Sequence, residues 1–338
     1  MSAGPRRAAL GCAVLLCLAG GGLGLLCAGA VALPTAVVVL TAGRDDAARL
    51  DRHDAAPDGS FVRGHDVEMF VLDQGPRDGP VVVFVHGSGA WSGTWQPALD
   101  AVTAAGWRGV ALDLPPFGFS ERPATAAYDR GVQAERILRT VDGLGVDRFA
   151  LVGHSFGGGP TVEAALRVPE RLTHLVLIDV ALGLGQPGAS LGPFEWMPLR
   201  QAAVAATFTN PAFIPTGVRN FVHDPAVVTP EVVDRYRRPL GVRGSTQAIA
   251  AWLSELAAPA PARSLEPAAY RELTVPTLVL WGAEDTATPV DQAEALCALL
   301  PQCRLEVLPE VGHIPQIENP GRVHASLLRF LTSTVDTD

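Results

Sequence analysis

Hydrophobic and polar positions divide this chain of 338 residues into distinct regimes. From Ala8 to Gly43 no charged residue interrupts a run rich in Leu, Val, Ala and Gly, and Arg6-Arg7 precede it. About 20 apolar residues span a bilayer. Residues 8–40 are therefore expected to enter the membrane, within an N-terminal segment 1–43. A cleaved secretory signal is the alternative, with Ala28-Gly29-Ala30 as its small-residue cleavage site. Residues 44–59 are charged, contain Pro57-Asp58-Gly59 and show no apolar period, which predicts a tether.

From residue 60 the pattern changes to short apolar runs separated by helical periods. Phe61 to Leu72 carries two strand-like pieces around Gly64-His65-Asp66, a hairpin signal. Val81 to Val85 is a continuous β-branched and aromatic run, as expected of a strand buried on both faces. Further strands are predicted at Gly109 to Leu112, Arg148 to Val152, Leu175 to Ile178, Thr277 to Trp281 and Arg304 to Leu308. Helices are predicted at Gln96 to Ala105, Asp129 to Leu144, Thr161 to Val168 and Asp291 to Leu300, with another closing the chain. This alternation predicts an α/β fold with a doubly wound, mostly parallel sheet, whose active site lies at the carboxyl ends of the strands.

Composition narrows the function classes. The net charge is −9 and no basic run appears, so no nucleic-acid partner is expected. All 26 basic residues are arginines, which excludes a Schiff-base lysine, a Ser–Lys dyad and a P-loop. No Cys/His cluster has zinc spacing. Cys12, Cys17 and Cys27 read as small hydrophobes in the apolar run. Cys297 and Cys303 flank a turn at Pro301 and are compatible either with a disulfide, which implies an oxidising and hence extracytoplasmic compartment, or with two free thiols.

The chemistry concentrates at Gly153-His154-Ser155-Phe156-Gly157, a Gly-x-Ser-x-Gly pattern between a strand and a helix. Glycines on either side allow a tight turn from which Ser155 points out of the sheet, and the Phe156 N–H is left free to bind an oxyanion. A serine nucleophile needs a base, and the base an orienting carboxylate. His313 follows the last predicted strand, and Asp285, in Trp281-Gly282-Ala283-Glu284-Asp285, follows the strand before it. Asp179, at another strand end, is a second candidate for the acid. His154 is expected to pack beside its strand, and Glu284 to face solvent.

These residues resemble the α/β-hydrolase superfamily, in its capped, serine-nucleophile, esterase-like branch, over about Phe61 to Phe330. The order Ser155, Asp285, His313 is the order that fold uses. The resemblance implies a core of residues 60–180 and 271–334 with a helical cap at 181–270. It also implies that the Ser88 N–H, in the loop after His86-Gly87, joins that of Phe156 at the oxyanion. Asp113 to Ser120 resembles the family's Asp-x-x-Gly-x-Gly-x-Ser loop, with Pro116 where glycine is common, and assigns Asp113 a structural role. The implied activity is hydrolysis of a carboxylic ester with an apolar acyl group, through an acyl-enzyme on Ser155 and with no metal or organic cofactor. A carbon–carbon bond hydrolase of a vinylogous diketone uses the same triad, and a non-catalytic binding protein of this fold is the third reading. Trp91, Trp95, Phe194, Trp196, Phe213 and Trp252 are expected to line the acyl pocket. Arg219, Arg235, Arg237, Arg238 and Arg243 are expected on a solvated face, with recognition of a substrate carboxylate as the alternative.

Overall fold

The computed structural model describes residues 49–123, 125, 127–184 and 188–333. The apolar run expected to enter a membrane lies outside the described residues. Among the described residues, no helix is long and apolar enough to cross a membrane.

Eight strands form one sheet: β1 (Ser60–Arg63), β2 (Glu68–Gln74), β3 (Val81–Val85), β4 (Arg108–Leu112), β5 (Phe149–His154), β6 (Leu172–Ile178), β7 (Thr277–Gly282) and β8 (Cys303–Leu308). Their spatial order is β1-β2-β4-β3-β5-β6-β7-β8. Only β2 is antiparallel to its neighbours, so the sheet is parallel from β4 through β8. Every residue of β3, β4, β5 and β7 is buried. Helices cover both faces there, which is why these strands read as unbroken apolar runs rather than alternations.

Strand β3 shows how one sequence feeds two cores. Val81, Val83 and Val85 point to one face, where they pack with Ile137 and Val162 of the helices Arg130–Gly143 and Gly158–Arg167. Val82 and Phe84 point to the other, against Leu99 of helix Gln96–Ala104 and Val323 and Leu327 of helix Pro320–Thr332. This is the two-residue period of a strand. Helix starts follow capping chemistry: the Asp129 carboxylate accepts the Val132 N–H at 3.0 Å.

Between β6 and β7 no strand occurs among the described residues. The segment holds four α-helices, Met197–Ala206, Ile214–Arg219, Pro230–Arg237 and Ser245–Ala257. β6 begins at Leu172, before the predicted start, because the half-buried Thr173 and His174 interrupt the apolar run. The helix expected at Asp291 to Leu300 ends at Cys297, which is disulfide-bonded to Cys303 with a Cα–Cα distance of 5.5 Å.

The expectation of a tether at 44–59 needs correction over its described part. Leu50 forms a parallel bridge with Val242: its N–H donates to the Gly241 carbonyl at 3.0 Å, and its carbonyl accepts the Arg243 N–H at 3.0 Å. Asp51 then caps a short helix, Arg52–Ala55. Backbone pairing to a segment so distant in the chain leaves no trace in local periodicity.

Candidate active site

β5 ends at His154, and a tight turn, Ser155–Gly157, leads into the helix Gly158–Arg167. Ser155 takes φ +49°, a conformation rare for serine that persists only where the surroundings impose it. Two glycines allow the compression. A Cβ at Gly153 would lie 2.5 Å from Thr161 Oγ1, and one at Gly157 would overlap the His86 carbonyl oxygen. The turn therefore lifts Ser155 Oγ above the carboxyl end of the sheet.

Two other loops meet it there. His313, after β8, places Nε2 2.8 Å from Ser155 Oγ and Nδ1 2.7 Å from Asp285 Oδ2. Asp285, after β7, also accepts the N–H groups of Ala287 at 2.7 Å and Thr288 at 2.9 Å through Oδ1, and the Thr288 hydroxyl at 2.6 Å through Oδ2. Burial works to raise the Asp285 pKa, but the His313 hydrogen bond and charge, together with Thr288, outweigh it and hold the carboxyl below its ordinary value. The carboxylate thus keeps the proton of the ring on Nδ1 and leaves Nε2 to accept the Ser155 proton. Glu284 is exposed, as expected.

The loop after β3 is fixed from beneath. His86 Nδ1–H donates to the Gly87 carbonyl at 2.8 Å, and its Nε2 accepts the Leu114 N–H at 2.9 Å. Asp113 receives the Ser92 N–H at 2.5 Å and the Phe119 N–H at 2.6 Å, which ties the two loops together. Ser88 borders the same cavity as Ser155, and neither its N–H nor that of Phe156 donates a hydrogen bond to the described residues. Both donors remain available for an oxyanion.

His154 does more than pack beside its strand. Its Nε2–H donates to the His313 carbonyl at 2.8 Å, and its ring lies against the oxyanion loop, 2.8 Å from where a Gly87 Cβ would stand. Burial in the main, with the neighbouring His313 charge, lowers its pKa to about 3; burial lowers that of His86 to about 4. Below about pH 6.5 the unfolded chain binds a proton at each of these sites that the native chain refuses, so both destabilise the fold as pH falls. Asp113 acts in the opposite sense. Burial raises its pKa to about 6, so the native chain retains a proton that the unfolded chain releases at about pH 4. His154→Gln removes one of the histidine contributions. Urea unfolding at about pH 6, 5 and 4 should show its stability falling less steeply than wild type, by about 1.4 kcal/mol per pH unit.

Above Ser155 and His313 lies a cavity of about 220 Å³. Phe194, Phe213 and Trp252 line it, together with Phe208, Ile249 and Leu253. Three tryptophans do not. Trp91 is held in the core by its Nε1–H, which donates to the Arg235 carbonyl at 2.7 Å. Trp95 packs against Phe84 with ring centroids 5.2 Å apart. Trp196 is 58% exposed at the start of helix Met197–Ala206. Aromatic identity predicts burial, not the cavity into which a ring faces. Arg219, Arg235, Arg237, Arg238 and Arg243 do not line the cavity either. Arg200 does, and it is the only Arg, Asp or Glu among the described lining residues. It is 6% exposed, its Nε has no hydrogen-bond partner among the described residues, and its NH2 group reaches Met197 Sδ at 3.4 Å. No sequence signal separates it from the other arginines, because its burial depends on packing between cap helices.

Asp179, Asp285 and His313 bring three metal-ligand atoms within 4.8 Å of one another. Two of these residues are already hydrogen-bonded to each other, and Thr288 takes a further site on Asp285, so Asp285 and His313 are committed to protein partners.

Residues 80–320 match the alpha/beta hydrolase fold family. The chain belongs to that family. Among relatives of this hydrolase, a 2-hydroxymuconate semialdehyde hydrolase of Pseudomonas sp. (strain CF600) is 32% identical over 265 residues, covering 74% of this chain and 86% of the relative. A 2-hydroxy-6-oxo-6-phenylhexa-2,4-dienoate hydrolase of Burkholderia cepacia is 29% identical and covers 75% and 88%. Among solved structures, a bacterial membrane phospholipase A described as a virulence factor has a TM-score of 0.64 and 26% identity, with 95% of this chain and 96% of that chain covered.

Proposed function

We propose that this hydrolase cleaves carboxylic esters of apolar acyl groups through an acyl-enzyme on Ser155. The carrying observation is Ser155 Oγ, hydrogen-bonded to His313 at 2.8 Å, at the base of a cavity lined almost wholly by apolar side chains. His313 Nε2 takes the hydroxyl proton as Oγ attacks the carbonyl carbon. Asp285 stabilises the imidazolium, and the Ser88 and Phe156 N–H groups bind the oxyanion. The imidazolium then protonates the leaving alcohol. Water attacks the acyl-enzyme with His313 as base and releases the acid.

A second reading, hydrolysis of a carbon–carbon bond in a vinylogous diketone, is favoured by Arg200. A buried guanidinium lining an apolar cavity, with the Glu195 charge near it but no salt bridge among the described residues, suits a substrate that carries a carboxylate, and the relative from Burkholderia cepacia is named for a dienoate. The deciding experiment is a series of p-nitrophenyl esters of graded chain length, run beside a 2-hydroxy-6-oxo-dienoate. The ester reading predicts the highest kcat/KM for a medium-length acyl chain. A substantially higher value for the dienoate, lost in Arg200→Gln, overturns it. Within the ester reading, Phe213→Ala lowers kcat/KM for the octanoyl ester by about tenfold, because the long acyl chain no longer buries its surface against the ring, and leaves the acetyl ester nearly unchanged.

We further propose that the catalytic domain is anchored to a membrane through residues 8–40 and faces an oxidising, extracytoplasmic space. The uncharged N-terminal run, the Cys297–Cys303 disulfide and the likeness to a membrane phospholipase over nearly the whole chain support this reading. Membrane fractionation with external protease tests it: the domain should sediment with membranes and be digested without lysis. Soluble, protected protein contradicts it.

A further inference from the structure

Asp179 follows β6 beside the triad and takes φ +43°, a left-handed conformation it shares with Ser155 and Glu310 alone among the described residues other than glycine. It has no solvent exposure. Its Oδ1 accepts the Gly282 N–H at 2.9 Å. Oδ2, by contrast, has no hydrogen-bond donor among the described residues, although it is buried. The carboxyl groups of Asp179 and Asp285 and the His313 ring offer ligand atoms within 4.8 Å of one another. Two ionised carboxylates so placed would repel in a site that water does not reach, and an unpartnered carboxylate oxygen would carry its full desolvation penalty.

A single proton resolves both problems. We propose that Asp179 is a positioning residue whose carboxyl group keeps its proton, donates it in a hydrogen bond to Asp285, and takes over the negative charge facing His313 when Asp285 is lost. The groups around it agree. Asp285 on the loop after β7 and Glu318 beyond β8 are both acids. His313 already gives its Nδ1–H to Asp285, and His154 on β5 is turned to the His313 carbonyl. Burial first, then the Asp285 charge, raises the Asp179 pKa well above the ordinary carboxylate range, while the Gly282 N–H opposes the shift. The pair therefore carries one negative charge, held on Asp285 by His313 and Thr288. Sequence position alone cannot assign this role, because it depends on three loops meeting.

This proposal rests on the serine hydrolase reading, and a double-mutant cycle with two readouts separates the two. Turnover of the best p-nitrophenyl ester and the rate of fluorophosphonate labelling of Ser155 are measured for wild type, Asp179→Asn, Asp285→Asn and the double variant. Asparagine is isosteric with the protonated acid, so Asp179→Asn alone stays within about threefold of wild type. In the Asp285→Asn background Asp179 ionises, and there the same substitution lowers the residual rate by about tenfold or more. The residual activity of Asp285→Asn should also rise with pH through one ionisation that the double variant lacks. An equal factor in both backgrounds, or no effect in either, overturns the proposal. If Asp285→Asn does not fold, Asp285→Ser carries the same cycle. A wild type that fails to label overturns the hydrolase reading itself.

Discussion

Ser155→Ala lowers kcat for a p-nitrophenyl ester by at least about four orders of magnitude, while KM changes little. The Ser155 hydroxyl lies 2.8 Å from His313 Nε2, the atom that takes its proton. Without it, the base has no nucleophile to activate, and the residual rate comes from substrate held near the Ser88 and Phe156 N–H groups. His313→Ala should cost a similar factor. The double variant should cost no more than either single one, because the two groups act as a unit rather than as independent contributions. Additive losses would mean that Ser155 and His313 serve different steps. Steady-state kinetics with circular dichroism on each variant makes the check, since alanine at 155 meets the same positive φ as serine and should leave the fold intact.

Gly282→Ala has the second largest effect, and it acts through the backbone. Gly282 ends β7, at the start of the loop that carries Asp285. A Cβ there would overlap the Gly312 carbonyl oxygen and lie 2.5 Å from the Val311 carbonyl oxygen. Both are backbone atoms of the loop that carries His313, so no side-chain rotation relieves the clash. The loop must move, and the Gly282 N–H bond to Asp179 goes with it. Overpacking of this kind costs about 3 kcal/mol of stability. Displacing a base by about 1 Å costs around a hundredfold in rate. Gly321→Ala serves as the control: no heavy atom lies within 4 Å of its Cβ position, so urea unfolding and turnover should stay close to wild type or improve slightly. Equal behaviour of the two variants would refute the packing argument.

The elements legible in the sequence are those whose signal is local. Val81–Val85 and Thr277–Gly282 are buried on both faces, and unbroken apolar runs announce them. Ser155, Asp285 and His313 can be chosen from the sequence because each follows such a run, and a parallel sheet gathers the carboxyl ends of its strands on one side. The features that escape a sequence reading are set by distant partners. Trp91 and Trp95, expected in the acyl pocket, are held in the core by the Arg235 carbonyl and Phe84. Arg200 enters the cavity because of the way helix Met197–Ala206 packs, which its immediate sequence does not specify. Leu50 is fastened beside Val242 by backbone hydrogen bonds to Gly241 and Arg243, which any side chain could make. His154 reaches the His313 carbonyl across 159 residues of chain, a contact that exists only once the two loops meet.

Everything in the proposed chemistry depends on His313 and Asp285 making Ser155 a nucleophile. The most direct measurement is covalent labelling of the intact protein with a fluorophosphonate, followed by peptide mass spectrometry. One adduct per chain on the peptide containing Ser155, absent in Ser155→Ala and formed far more slowly in His313→Ala, is the predicted result. An unlabelled wild type, or an adduct that persists in Ser155→Ala, would contradict it.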